Sequence, residues 1–255
     1  MAELTTADVS EADIRSALSA VKDPELDEPI TELGFVTSVD LSGNNVLVRL
    51  RLPTSFCAPN FAYLMASDSM DAVRGVPGIG HVQVVLDGNT DSERINAGIA
   101  AGLGFAGTYP EESEIELDEL RRIFQVKAHF ASIERVISRL VRDHNVVSAD
   151  LHEMRLGDLP DIPEVDGLRK RRVDIGLPNE DSDFVLVDDT NTRWDTSNLE
   201  MQLRFARATR ISIDGNAHFC RGLLKTRYPE SEADQKPRDE VFDTESLFSV
   251  INRKD

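Results

Sequence analysis

Two β-prone runs joined by a turn restrict what this chain can fold into more than any other feature. Phe35-Val36-Thr37-Ser38-Val39-Asp40-Leu41 alternates imperfectly, and Asn45 to Leu52 alternates from Val48 onward. Ser42-Gly43-Asn44 lies between them, and glycine and asparagine tolerate the positive φ that a tight turn demands, so residues 41–45 read as a hairpin turn. Ahead of the hairpin, Ser10 followed by Asp13 resembles a capping box. Ile14, Ala17, Leu18 and Val21 recur at helical spacing behind it. Asp23-Pro24 stops that helix, because the residue before proline is pushed out of the helical region. After the hairpin, residues 60–73 read as a helix burying Phe61, Leu64, Met65 and Val73. Val76-Pro77-Gly78-Ile79-Gly80 then turns into a strand over residues 81–86. The expected fold class is α+β: a helix-strand-strand-helix-strand module over residues 8–90, followed by a helical and mixed C-terminal domain.

Charge and cysteine content narrow the function classes. Among 255 residues, 46 acidic side chains outnumber 28 basic ones, for a formal charge of −18. Nucleic-acid binders and proteins of anionic membranes need a cationic surface, so neither partner is expected. No apolar run reaches bilayer-spanning length, and the first residues lack the basic and apolar pattern of a secretory signal. Two cysteines, Cys57 and Cys220, make no disulfide scaffold, which suits a reducing cytoplasm. Nor can they alone supply the four thiolates of an iron–sulfur cluster.

Two loops of the first module carry chemistry. One is Asp23-Pro24-Glu25-Leu26-Asp27-Glu28-Pro29, leading to Glu32-Leu33-Gly34. The other is Leu52-Pro53-Thr54-Ser55-Phe56-Cys57-Ala58-Pro59-Asn60, between a strand and a helix. A cysteine at such a junction faces unpaired amide hydrogens and the positive helix end, which favour a thiolate, the form that binds iron or zinc. Taken as sequence chemistry alone, Cys57 equally reads as a small buried side chain and Asp23 as the cap of a turn.

The first ninety residues resemble the MIP18 family, also called the DUF59 or metal–sulfur cluster biosynthesis family. The resemblance rests on Asp23-Pro24-Glu25, on Glu32-Leu33-Gly34, on the strand and threonine-containing turn ending at Cys57, and on Val76-Pro77-Gly78-Ile79 before the next strand. It implies a small accessory factor for iron–sulfur or related metallocentres. The family cysteine then corresponds to Cys57 and the acidic loop to Asp23 and Glu25, as contacts for transient iron or a cluster, with zinc as another metal. It also implies a protein client, with a component of an iron-dependent oxygenase as the family association. The family turn carries a small glycine before the cysteine where this chain has Phe56. A homo-oligomer would supply ligands that one chain lacks. The other reading is a metal-independent assembly chaperone or structural interaction protein. No ordered nucleophile–base set suggests catalysis.

Beyond the module, residues 91–118 read as a flexible or acidic linker, with Gly98, Gly102, Gly104 and Gly107 open to a linker or a close-packing role, and then six acidic residues within 111–119. Residues 119–228 read as a mixed client-interaction domain. In it a long helix runs to Arg142, with His129 as a surface or packing residue. Val146 to Leu151 is expected as a short strand, and Phe184-Val185-Leu186-Val187 as a core strand. Arg169-Lys170-Arg171-Arg172 is the compact basic cluster, open to a partner or to an acidic segment of the same chain. Trp194 anchors either the core or a partner surface. Residues 199–228 read as broken helical structure. There His218 and Cys220 share a side only if the backbone is extended, and with Cys57 they make a candidate metal site. Residues 229–255 read as a polar tail with a docking segment.

Overall fold

Ser10 starts the first helix as its spacing from Asp13 suggests. Its hydroxyl accepts from the Asp13 amide at 3.3 Å, and the Asp13 carboxylate accepts from the Ser10 amide at 2.9 Å. In this computed structural model, which describes residues 9–111, 117–144 and 151–236, that helix is α1 (Glu11–Leu18), and it buries Ile14 and Leu18. A two-residue ladder of β1 (Lys22–Asp23) with β2 (Glu28–Pro29) closes the acidic loop. Strands β3 (Val36–Ser42) and β4 (Asn45–Arg51) then pair antiparallel, Ser42 opposite Asn45, with Gly43 at φ +60° in the turn. Helix α2 (Pro59–Arg74) carries the chain across, so β5 (Val82–Asp87) joins β4 in parallel and the sheet order is β3-β4-β5. Alternation puts Val46, Val48 and Leu50 of β4 and Val82, Val84 and Leu86 of β5 into one core with α1 and α2. The expected helix-strand-strand-helix-strand order is the observed one.

The described residues divide into two compact units, one within 9–120 together with 216–236, the other within 121–215. In the first unit, residues read as flexible linker are partly helical: α3 (Ser92–Ala100) and α4 (Gly104–Thr108) bring Ile95, Ile99 and Tyr109 into the module's core. Gly98 permits close packing here, since a Cβ on it would lie 2.1 Å from Thr108 Oγ1. The first unit also takes the end of α7 (Leu199–Arg227), whose Ala217 and Leu224 join the same core. Arg51, buried in β4, anchors the turn beyond the end of α7. It donates to the Gly34 carbonyl at 3.1 Å and pairs with Glu230 at 2.9 Å and Asp234 at 2.7 Å.

The second unit packs α5 (Leu117–His144), α6 (Pro163–Asp174) and the first part of α7. Ile133, Val136, Leu140, Leu168, Trp194 and Ala206 make its core. Four residues whose roles the sequence left open between packing and a surface or partner contact make contacts within this fold. His129 is buried, with Nε2 3.4 Å from the Val187 carbonyl. Arg172 is 0% exposed because its guanidinium donates to the carbonyls of Pro178 (2.7 Å) and Phe184 (3.0 Å). Trp194 is 2% exposed and stacks on Phe130 at 6.0 Å. Arg169 reaches Asp181 at 2.6 Å and the Asn179 carbonyl at 2.9 Å. Lys170 is exposed, and Arg171 lies 3.8 Å from Asp174. Val185, Leu186 and Val187 are buried, but only isolated bridges, Arg155 with Phe184 and Val187 with Arg193, replace the expected strand. The strand expected at 146–151 and the segment from 237 onward lie outside the described residues, apart from Leu151.

Candidate functional site

The acidic loop is a turn built around Asp23. Its Oδ1 accepts the amides of Glu25 (2.9 Å) and Leu26 (3.0 Å), and its carbonyl accepts the amide of Asp27, which sits at φ +53°. Asp23 therefore does cap a turn. Burial nevertheless pushes its carboxyl up to about 6, although the two amides pull the other way. Glu25 is half-buried and faces the other part of the site: its Oε1 accepts from Asn216 Nδ2 of α7 at 3.1 Å.

Cys57 occupies the junction that its sequence context suggests. Helix α2 begins at Pro59 behind an Ala58 cap that has no side-chain hydrogen bond, so Cys57 stands just ahead of the helix end. Its sulfur lies 3.2 Å from Thr54 Oγ1. The loop is pinned from the segment after β5: Asn89 Nδ2 donates to the Cys57 carbonyl at 3.1 Å, and the Thr90 amide donates to the Ser55 carbonyl at 2.7 Å. The cysteine is half-buried and its neighbour Phe56 is exposed.

Helix α7 supplies the second thiol. From Leu199 to Arg227 it runs unbroken, where the sequence reads as broken helical structure. Asn216 and Cys220 are one turn apart and share a face, so the helix that reaches Glu25 also turns Cys220 inward. Arg221 fixes the register by ion-pairing with Glu28 and donating to the Glu32 carbonyl at 3.0 Å. Cys57 and Cys220 both pack half-buried against the module's core. Burial, then the charges of Asp23, Cys57 and Glu25, push the Cys220 thiol up to about 12. The structure therefore sets Cys220 in the electrostatic neighbourhood of Cys57, Asp23 and Glu25.

His218 does not join them. Two helical residues span about 200°, so it lies on the opposite side from Cys220, and it is exposed. Among the described residues no three histidine, cysteine, aspartate or glutamate side chains form a group able to hold a metal ion. Asp214, one turn before His218, is occupied in the second unit by Arg135 (2.7 Å) and Arg210 (3.0 Å). Asn89, Asn216 and Arg221 are the positioning residues that sequence reading missed. Only the run Asn89-Thr90-Asp91-Ser92 carried a local signal, as a turn opening a helix.

Residues 11–85 match the family described as iron-sulfur cluster assembly protein, a segment that holds Asp23, Glu25 and Cys57 and leaves the rest of the chain as an unmatched extension. The chain is 36% identical over 96 residues to an iron-sulfur cluster carrier protein of Mycobacterium leprae (strain TN), covering 36% of this chain and 24% of that protein. It is 40% identical over 84 residues to the iron-sulfur cluster carrier protein of Mycobacterium tuberculosis (strain ATCC 25618 / H37Rv), covering 32% of this chain and 22% of that relative. The chain thus spans about a quarter of the length of these curated relatives. No solved structure matches it significantly. No helix among the described residues is long and apolar enough to cross a membrane.

Proposed function

We propose that this chain is a non-enzymatic carrier that accepts an iron–sulfur cluster, or iron destined for one, at Cys57 and passes it to an acceptor protein. Cys220 is the second thiolate. The observation that carries this reading is that helix α7, tied to Glu25 through Asn216, brings Cys220 into the charge field of Asp23, Cys57 and Glu25 inside the unit that holds the iron–sulfur assembly match. Burial and negative neighbours hold the Cys220 thiol protonated while the site is empty. A cation reverses that field, so loading releases the proton and creates the second ligand. Iron and zinc share the preference for thiolate, and the family match favours iron–sulfur cargo over zinc.

The chemistry is ligand exchange. A half-buried sulfur at a loop tip is reachable by an incoming thiolate. A chain that offers two thiols, not four, leaves coordination positions for the donor's and then the acceptor's ligands. Asp23 holds the acidic turn, Glu25 ties it to α7, and both set the local charge. The acceptor that the family resemblance implies is a component of an iron-dependent oxygenase. In this proposal the Arg121–Gly215 unit recognises it, which hydrogen-exchange protection of that unit on adding such a component would detect.

The test is cluster transfer. The full chain is loaded without oxygen by a [2Fe–2S] cluster held by glutathione thiolates, freed of excess reagent, and mixed with apo-ferredoxin. Transfer is expected from the natural sequence and is lost in a folded Cys57→Ala variant. Equal transfer by both rejects Cys57 as the contact and favours a metal-independent chaperone.

A further inference from the structure

Helix α7 carries an apolar strip that the described residues leave uncovered. Met201, Phe205, Ala208, Ser212 and Gly215 follow one another at steps of three or four residues. Helical geometry sets them in a strip about 80° wide and about 21 Å long. All five belong to the 121–215 unit. Met201 is 63% exposed and Phe205 59%, and Ala208 and Ser212 are exposed as well. Phe205 meets Phe130 edge-on at 5.8 Å between ring centres, which holds one edge of its ring and leaves the rest open. Scattered apolar residues on a surface need no explanation. A gradient of size does. The strip runs from two bulky side chains to none, and a Cβ on Gly215 would meet nothing within 4 Å. No described neighbour in one chain requires that glycine, although glycine is the poorest helix former after proline.

We propose that a second copy of this chain packs its α7 antiparallel on this strip, about a two-fold axis at Ala208. Such an axis pairs residues equally far before and after Ala208, to within one position. Met201 of one copy then lies over Gly215 of the other, and Phe205 over Ser212. Large meets small at both ends, and the Ala208 methyls on the axis let the backbones approach. The aliphatic stem of Arg204 covers Ile211, which is 36% exposed. A parallel pair would set Phe205 on Phe205 and leave the two glycines facing a gap. The strip is thus complementary to itself in one direction only, and that selects a second copy as its occupant. Charge permits the contact. Each chain carries −18, but the five positions are uncharged, Glu200 beside them pairs with Arg204, and Asp214 pairs with Arg135 and Arg210. The area is small, at most about 400 Å² per chain against the roughly 800 Å² per partner of a standard stable interface, so the dimer is a weak one. The inference uses no thiol and goes beyond the carrier reading.

Sedimentation velocity of the full, metal-free chain from about 5 to about 500 µM tests this. The expected result is a shift with concentration from the mass of one chain to that of two. Gly215→Gln fills the place of the other copy's Met201 yet meets open space in its own chain. It should keep or raise the melting temperature and weaken association at least roughly tenfold. Met201→Ser, with an unchanged circular dichroism spectrum, should weaken it roughly tenfold as well. A monomer at every concentration overturns the proposal and leaves the strip to a helix of another protein. A dimer that both variants leave intact overturns this face. A lowered melting temperature in Gly215→Gln overturns the reading of Gly215 as room for a second copy.

Discussion

The reactivity of Cys220 gives the sharpest check on the site's geometry. Burial and three negative neighbours lift its thiol from 9.0 to about 12. Three units mean that around pH 8 the thiolate fraction is about a thousandfold below that of an unperturbed cysteine. A more basic thiolate attacks faster, and a Brønsted slope of about 0.4–0.5 returns roughly fifteen- to thirtyfold. The net expectation is an exchange rate roughly fiftyfold slower than that of a free cysteine. The assay uses an aromatic disulfide reagent on the Cys57→Ala variant, so that Cys220 alone reports. Removing Cys57 takes away one contributor and keeps burial and Asp23, the larger two. The logarithm of the rate should rise with unit slope from about pH 8 to about pH 10 without levelling. A plateau near pH 9, or the rate of a free thiol at pH 8, would show that Cys220 does not face the acidic loop.

Two further predictions concern the frame around the site and the second unit. Asn89→Ala removes the bond that holds the Cys57 carbonyl and the acceptor of the Asp91 amide, both inside a buried turn. It should cost about 1–3 kcal/mol and speed hydrogen exchange across residues 54–58, whereas unchanged exchange would mean that the loop is held by other contacts. His129 is held down to about 4 from 6.5 by burial and by repulsion from Arg172. The unfolded chain gains this proton at the higher pH and the fold only at the lower, so the group's stabilisation is complete above pH 6.5 and falls by about 3 kcal/mol toward pH 4. His129→Gln should abolish that part of the decline in urea unfolding followed by the fluorescence of Trp194, and parallel declines in both proteins would refute it.

The first module was legible because its signals are local. Alternation in β4 and β5, the Gly43 turn, the Ser10–Asp13 cap and the apolar face of α2 each act over a few residues. Cys57 was legible as a junction residue for the same reason, and its family resemblance added the role. What failed to show was set by distant packing. Gly215 and Gly222 lower helix propensity, yet α7 continues because Ala206, Ile213, Ala217 and Leu224 are each buried along it. That continuity decides that Cys220, and not His218, turns toward the acidic loop. Gly98 was open to a linker or to close packing, and only the approach of Thr108, which its missing side chain allows, decides for packing. Arg169 and Arg172 were open to a partner or to an acidic segment of the same chain, and only the folded loop after α6 supplies their contacts, carbonyls for both and Asp181 for Arg169.

The central claim is that Cys57 receives iron–sulfur cargo with Cys220 as its partner thiolate. The most direct measurement is the iron and acid-labile sulfide content of the chain isolated without oxygen, in parallel with folded Cys57→Ala and Cys220→Ala variants. The account predicts iron and sulfide in equal amounts on the natural sequence, loss of both in Cys57→Ala, and a marked reduction in Cys220→Ala. Iron and sulfide retained in full by Cys57→Ala, or a natural sequence that stays empty even when offered a preformed cluster, would contradict it.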